Sequence, residues 1–174
     1  MNRREFMQQA AVGATILSTG PAAFGQASAR SRYRVAIIGR TGQGDYGHRL
    51  DVVWKDIEQA EIVAVADEDE GGRREAAARL GVQRTYADYR EMLAAEKPHI
   101  VTIAPRWPDC HRDMAVACGQ AGCHVLLEKP MCRSLEEADE IVAAFEKQGL
   151  KTAIAHQTRY SPTLDKIREL IAEG

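Results

Sequence analysis

Three short stretches hold residue types whose spacing can do chemistry. The first is the turn Gly39-Arg-Thr-Gly-Gln-Gly-Asp-Tyr-Gly47. Glycine lets the backbone turn tightly and approach an anion, and the N–H groups of a following helix would face that anion. Two registers fit. Gly42-x-Gly44-x-x-Gly47 is complete, whereas Gly39-x-Thr41-x-x-Gly44 starts directly after an apolar run but carries Thr41 in place of the middle glycine. The second is Asp67, which closes the apolar run Glu61–Ala66 twenty residues after Gly47. A carboxylate there accepts the hydroxyls of an adenosine ribose and repels a 2′-phosphate, so NAD is expected over NADP. NADP stays open because Arg73 and Arg74 follow closely. The third is Glu128-Lys129-Pro130. A primary ammonium at a strand end can hydrogen-bond a substrate hydroxyl and share its proton during hydride transfer.

The elements between these stretches alternate. Arg34–Ile38, Glu61–Ala66, His99–Ala104, His124–Glu128 and Lys151–Ala155 are short apolar runs without alternation, as strands buried on both faces read. Helical spacing is expected at Leu50, Val53, Trp54 and Ile57, then over Arg73–Leu80, Asp88–Ala95, Asp109–Ala121 and Ser134–Gln148. Asp88 with Glu91, and Ser134 with Glu137, are capping boxes. Ser161-Pro162 opens a last helix. Strands joined by helices need crossover connections, so the fold class is a doubly wound parallel α/β domain. Ligands of such sheets lie beyond the strands' carboxyl ends, where all three stretches fall.

Charge is nearly balanced, 23 Lys+Arg against 25 Asp+Glu, which argues against a nucleic-acid partner. The first thirty residues read differently from the rest. Arg3-Arg4-x-Phe6 precedes an uncharged stretch ending in Ala27-Ser28-Ala29, the pattern of an export signal of twin-arginine type. That predicts a signal over 1–30, a periplasmic or secreted location, and no membrane span, since the apolar run is short and rich in Gly and Gln. The cysteines (Cys110, Cys118, Cys123 and Cys132) lack a zinc spacing and read as small buried or half-buried thiols, so no metal is expected.

Taken in order, the glycine turn, Val63-Ala-Val-Ala-Asp67, Tyr86-x-Asp88-Tyr89, Lys97-Pro98, His111, His124-Val-Leu-Leu-Glu-Lys-Pro130 and Gln157-x-Arg159-Tyr160-Ser-Pro162 resemble the N-terminal domain of the glucose–fructose oxidoreductase/inositol dehydrogenase (Gfo/Idh/MocA) family. The resemblance implies a nicotinamide-dependent oxidoreductase acting on a sugar, polyol or derivative, with Lys129 as the active-site lysine. It implies that Pro105, His111, Glu128 and Gln157 lie near the ribose and nicotinamide. His111 reads equally well as a structural histidine. Some relatives run NAD in a closed redox cycle to cleave glycosidic bonds, and a non-catalytic NAD-binding module is the other alternative. Family members continue into an α+β substrate domain that also makes their homo-oligomer contacts. A coenzyme domain over 31–160 and the start of a truncated second domain over 161–174 are therefore expected, with coenzyme binding weakened and turnover low.

Overall fold

A computed structural model describes residues 32–174. The export signal expected over residues 1–30 lies outside the described residues. Six parallel strands form one sheet: β1 (Tyr33–Ile38), β2 (Ala60–Ala66), β3 (Arg84–Tyr86), β4 (Ile100–Ile103), β5 (His124–Leu127) and β6 (Thr152–Ile154), in the order β3-β2-β1-β4-β5-β6. The chain leaves β1 to one side for β2 and β3, then returns to its other side for β4, β5 and β6. The strand order thus reverses between β1 and β4, and the crevice of such a sheet opens there.

Among the described residues, five α-helices connect and follow the strands: α1 (Glu70–Leu80), α2 (Tyr89–Glu96), α3 (His111–Gln120), α4 (Leu135–Glu146) and α5 (Pro162–Glu173). Their ends follow local chemistry. Asp69 caps α1 by accepting from the Gly72 N–H, and Gly81 ends it in the left-handed conformation. Ser134 Oγ accepts from Glu137 N–H at 3.3 Å, while Glu137 reaches back to the Arg133 N–H at 2.9 Å. One face of the sheet packs Val35, Ile37 and Val65 against Ala76 and Leu80 of α1. The other packs Ala36, Ile38, Val101 and Ile103 against Met92, Met114, Ile141 and Phe145. Met92, Ile37 and Ile103 are wholly buried, and each contributes about 2–3 kcal/mol of transfer free energy.

One expected helix does not form. Leu50, Val53, Trp54 and Ile57 have helical spacing, yet residues 41–52 are turns and only Val53–Asp56 makes a 3-10 turn. The reason is local. Asp45 holds the preceding turn by accepting from the Gly42 N–H at 2.8 Å, so no helix enters the segment from its N-terminal side. Asp45 and Arg49 take left-handed φ of 52° and 63°. Tertiary contacts then hold the segment. Asp51 is buried and paired with Arg79 of α1 at 2.8 Å, and the Trp54 indole N–H donates to Thr102 Oγ1 at 2.7 Å. The segment that follows the glycine turn therefore supplies no α-helical N-terminus to it. Among the described residues, no helix is long and apolar enough to cross a membrane.

Candidate coenzyme site

Backbone hydrogen bonds bring the loops to one edge. Gly39 N–H donates to Ala66 O, Asp67 N–H to Tyr86 O, Ala104 N–H to Ile38 O, Glu128 N–H to Ile103 O and Ala155 N–H to Leu127 O. Gly39, Asp67, Pro105, Glu128 and Gln157 thereby lie at or just past the carboxyl ends of five adjacent strands.

Gly42, Gly44 and Gly47 all have positive φ, at 77°, 93° and 62°. At two of them side-chain space is also absent. A Cβ on Gly44 would sit 2.4 Å from Arg106 N, and one on Gly47 would sit 2.3 Å from Ala104 O and 2.7 Å from Glu128 Oε2. The complete register, Gly42-x-Gly44-x-x-Gly47, is thus the one whose glycines the backbone requires. Gly39 matters differently, because the Tyr46 ring lies against its Cα. The Tyr46 hydroxyl is buried with no protein partner, and burial together with the nearby Asp67 charge pushes its pKa well up. Arg79 stacks over the same ring at 4.9 Å from its centroid.

Asp67 is only 2% exposed. Its carboxylate accepts from Thr41 N–H at 3.1 Å, Thr41 Oγ1 at 2.7 Å and Asp69 N–H at 3.0 Å. The Thr41 hydroxyl therefore occupies a donor position on this carboxylate. Arg73 is held to the Asp67 and Glu68 carbonyls, the nearer at 2.6 Å.

Glu128 is fully buried, and its carboxylate joins two loops. Oε1 accepts from Lys129 N–H at 3.0 Å, and Oε2 accepts from His48 N–H at 3.2 Å. The His48 ring nitrogen Nδ1 lies 3.2 Å from Oε1. Lys129 itself is exposed, and its peptide to Pro130 is cis. His111 is also fully buried, its Nδ1 2.8 Å from Pro130 O and its Nε2 2.7 Å from Pro105 O. Both nitrogens are thus occupied by backbone, and His111 braces the two prolines rather than facing the crevice. Gln157 is exposed on a cavity of about 460 Å³ that His48, Leu50, Leu126 and Tyr160 also line.

Four charged residues that the motifs do not mark also meet here. Arg40 Nη1 donates to Asp109 Oδ2 at 2.7 Å, and Arg106 Nη2 reaches Asp45 Oδ2 at 3.5 Å. Their signal in the sequence is positional: Arg40 and Arg106 each stand just past the ends of β1 and β4. The four cysteines are free thiols, and burial raises the pKa of Cys110, Cys118 and Cys123.

A glycine turn after β1, a carboxylate ending β2 and a lysine just past β5, on a sheet of this order, define a dinucleotide-binding Rossmann domain. The family model described as "GFO_IDH_MocA: oxidoreductase family, NAD-binding Rossmann fold" matches residues 33–156, and the chain belongs to that family. It is 32% identical over 143 residues to the D-apiose dehydrogenase of Paraburkholderia graminis, an alignment covering 82% of this chain and 37% of that protein. It is 27% identical to the myo-inositol 2-dehydrogenase of Thermotoga maritima, over 79% of this chain and 41% of that protein. Its fold matches the crystal structure of myo-inositol 2-dehydrogenase from Lactobacillus plantarum with a TM-score of 0.70, at 26% identity, covering 83% of this chain and 42% of the other. The chain thus spans well under half the length of these relatives.

Proposed function

We propose that this chain is the coenzyme-binding part of an exported oxidoreductase that passes a hydride between NAD and the carbinol carbon of a sugar, polyol or derivative. The observation that carries the reading is the shared edge on which the glycine turn, Asp67 and Lys129 stand in strand order β2, β1, β5. The residues fit the coenzyme in kind. Asp67 supplies the carboxylate for the adenosine ribose once Thr41 Oγ1 gives way, and the turn supplies backbone that no Cβ obstructs. When bound, NAD supplies the hydride acceptor.

The chain's own residues then do the following. Glu128 fixes the backbone of Lys129 against that of His48, so the ammonium is carried at a set height over the end of β5. Lys129, exposed and aliphatic-stemmed, hydrogen-bonds the substrate hydroxyl and, in its amine form, takes that proton as the C–H bond breaks. His111 holds Pro105 and Pro130 in place from below. The dehydrogenases of D-apiose and myo-inositol named above support a polyhydroxy substrate. Fast transfer needs that substrate held about 3–3.5 Å from the coenzyme in a dry site, so turnover belongs to this edge together with a wall that closes over Lys129.

Calorimetry with NAD and NADP on the purified chain tests the binding half. NAD should bind more tightly, and Asp67→Ala should weaken NAD and relax the preference. An unchanged preference would show that another group chooses the coenzyme. For the chemical half, Lys129→Ala should lower the rate of nicotinamide reduction with sugars and polyols while leaving NAD affinity within about two-fold. Equal loss of both would refute the proton-transfer role.

A further inference from the structure

The switch-point crevice between β1 and β4 is shut by a strap. Residues 40–47 fold across the end of β1 and bond to the loop that follows β4. Arg106 N–H donates to Gly44 O at 3.1 Å, and the bare Cα of Gly44 lies against the Arg106 and Trp107 backbone. Two ion pairs flank this contact, Arg40–Asp109 at 2.7 Å and Arg106–Asp45 at 3.5 Å. Beside the strap, between Gly39, Asp67, Tyr89 and Met114, the remaining space is about 10 Å³, room for one water at most.

We infer that Arg40 and Arg106 are diphosphate-binding residues whose anion positions are filled by two of the chain's own carboxylates, Asp109 and Asp45, and that the coenzyme binds by exchange against them. The inference rests on the reading of the site as a dinucleotide site. Three observations carry it. Both guanidiniums lie at the strand pair where a dinucleotide's diphosphate must cross the sheet, one on each side of the crevice. A guanidinium fork takes carboxylate and phosphate oxygens with the same geometry. Both pairs are open to solvent, with side-chain exposures of 22% and 44% for Arg40 and Asp109 and 49% and 52% for Arg106 and Asp45. Pairs so exposed are weakly held and exchange readily. Two single-charged carboxylates leave and one doubly charged diphosphate arrives, so the charge facing the arginines is conserved. No covalent bond changes. With the pairs released, the Arg106 N–H to Gly44 O bond is the last hydrogen bond from the strap to the loop after β4, and once Thr41 also gives up Asp67 the strap lifts to admit the ligand.

The exchange makes a prediction opposite to that of a structural ion pair. In calorimetric titrations of the full chain, Asp109→Asn should bind NAD and ADP about two- to five-fold more tightly, because the internal competitor is gone. Adenosine, which lacks the diphosphate, should bind both forms alike. Arg40→Ala and Arg106→Ala should weaken NAD and ADP by about five- to twenty-fold, and Asp109→Asn should give no gain once Arg40 is alanine. Thermal melts confirm that each variant folds. Weaker or unchanged ADP binding by Asp109→Asn would overturn the exchange, as would an equal gain for adenosine. If ADP follows the predicted pattern while NAD gives no heat with any form, the arginine assignment stands and the nicotinamide reading falls.

Discussion

Replacing Gly47 by alanine separates two costs that a glycine turn combines. At Gly42, φ is 77° and a Cβ would meet nothing within 4 Å. Gly42→Ala therefore carries only the left-handed backbone penalty, about 1 kcal/mol. At Gly47, φ is 62° and a Cβ would overlap Ala104 O at 2.3 Å and Glu128 Oε2 at 2.7 Å. Ala104 N–H is tied to Ile38 O and the Glu128 carboxylate is tied to two backbone N–H groups, so neither neighbour can retreat cheaply. Overlap of this kind adds about 1–3 kcal/mol. For a domain of this size about 3 °C of melting temperature corresponds to 1 kcal/mol. Gly42→Ala should then lower the midpoint by about 3 °C and Gly47→Ala by about 6–12 °C, measured by circular dichroism at one protein concentration. Coenzyme affinity should fall in Gly47→Ala, because the turn and the Lys129 backbone share Glu128. Equal destabilisation by the two substitutions would refute the steric part of the reasoning, and loss of stability without loss of affinity would refute the link through Glu128.

Acid stability should depend on Glu96. Burial pushes its carboxyl pKa up, but hydrogen bonds from Tyr86 and Arg84 and the charges of Arg84 and Arg34 outweigh this and hold it below its ordinary value. The folded pKa thus lies below the unfolded one, so the stabilisation is present above about pH 4.5 and disappears as pH falls through the folded value. Glu96→Gln should cost about 1–3 kcal/mol near neutrality and progressively less as pH falls below about 4.5, read from urea midpoints at each pH; a pH-independent loss would count against the charge. Thiol reactivity should divide by burial. Cys118 is wholly buried with a pKa far above the usual thiol value, and burial pushes Cys123 up to about 11. Native protein should therefore titrate no more than Cys110 and Cys132 with an aromatic disulfide reagent, and unfolded protein all four; rapid reaction of a third thiol in the native state would contradict the packing of α3.

The sheet was legible because parallel strands covered on both faces have little choice but to be apolar. Val35–Ile38 and Val101–Ile103 are buried throughout, and their sequence says so without alternation. Helix ends were legible where a side chain does the capping, as at Asp88, which accepts from Arg90 N–H at 2.7 Å, and at Ser134. The segment after the glycine turn was misread because spacing is a weak local signal. The left-handed backbone of Arg49, a turn-forming Asp45 and the buried Asp51–Arg79 pair decide that segment, and the last of these joins residues 28 apart. The strap's ion pairs were not legible for the same reason, since they span 69 and 61 residues. A sequence shows which charges exist but not which loops meet.

The most distinctive motif deserves a different division of labour from the one its order suggests. In Glu128-Lys129-Pro130 the lysine and the proline are exposed and the glutamate is buried. Glu128 has no accessible surface, and its oxygens are taken by Lys129 N–H and by His48 N–H from the glycine turn. The Pro130 carbonyl lies 2.8 Å from His111 Nδ1 and the Pro105 carbonyl 2.7 Å from its Nε2. Two buried polar side chains therefore connect the loops after β1, β4 and β5, where backbone would otherwise leave polar atoms without partners. Such bonds are stronger away from water, and breaking one leaves the other member buried and unsatisfied. The height of Lys129 over the sheet is consequently tied to the position of the glycine turn. On the function proposed above, the lysine and the glycine turn are coupled through Glu128, so a coenzyme that moves the turn should also move the lysine.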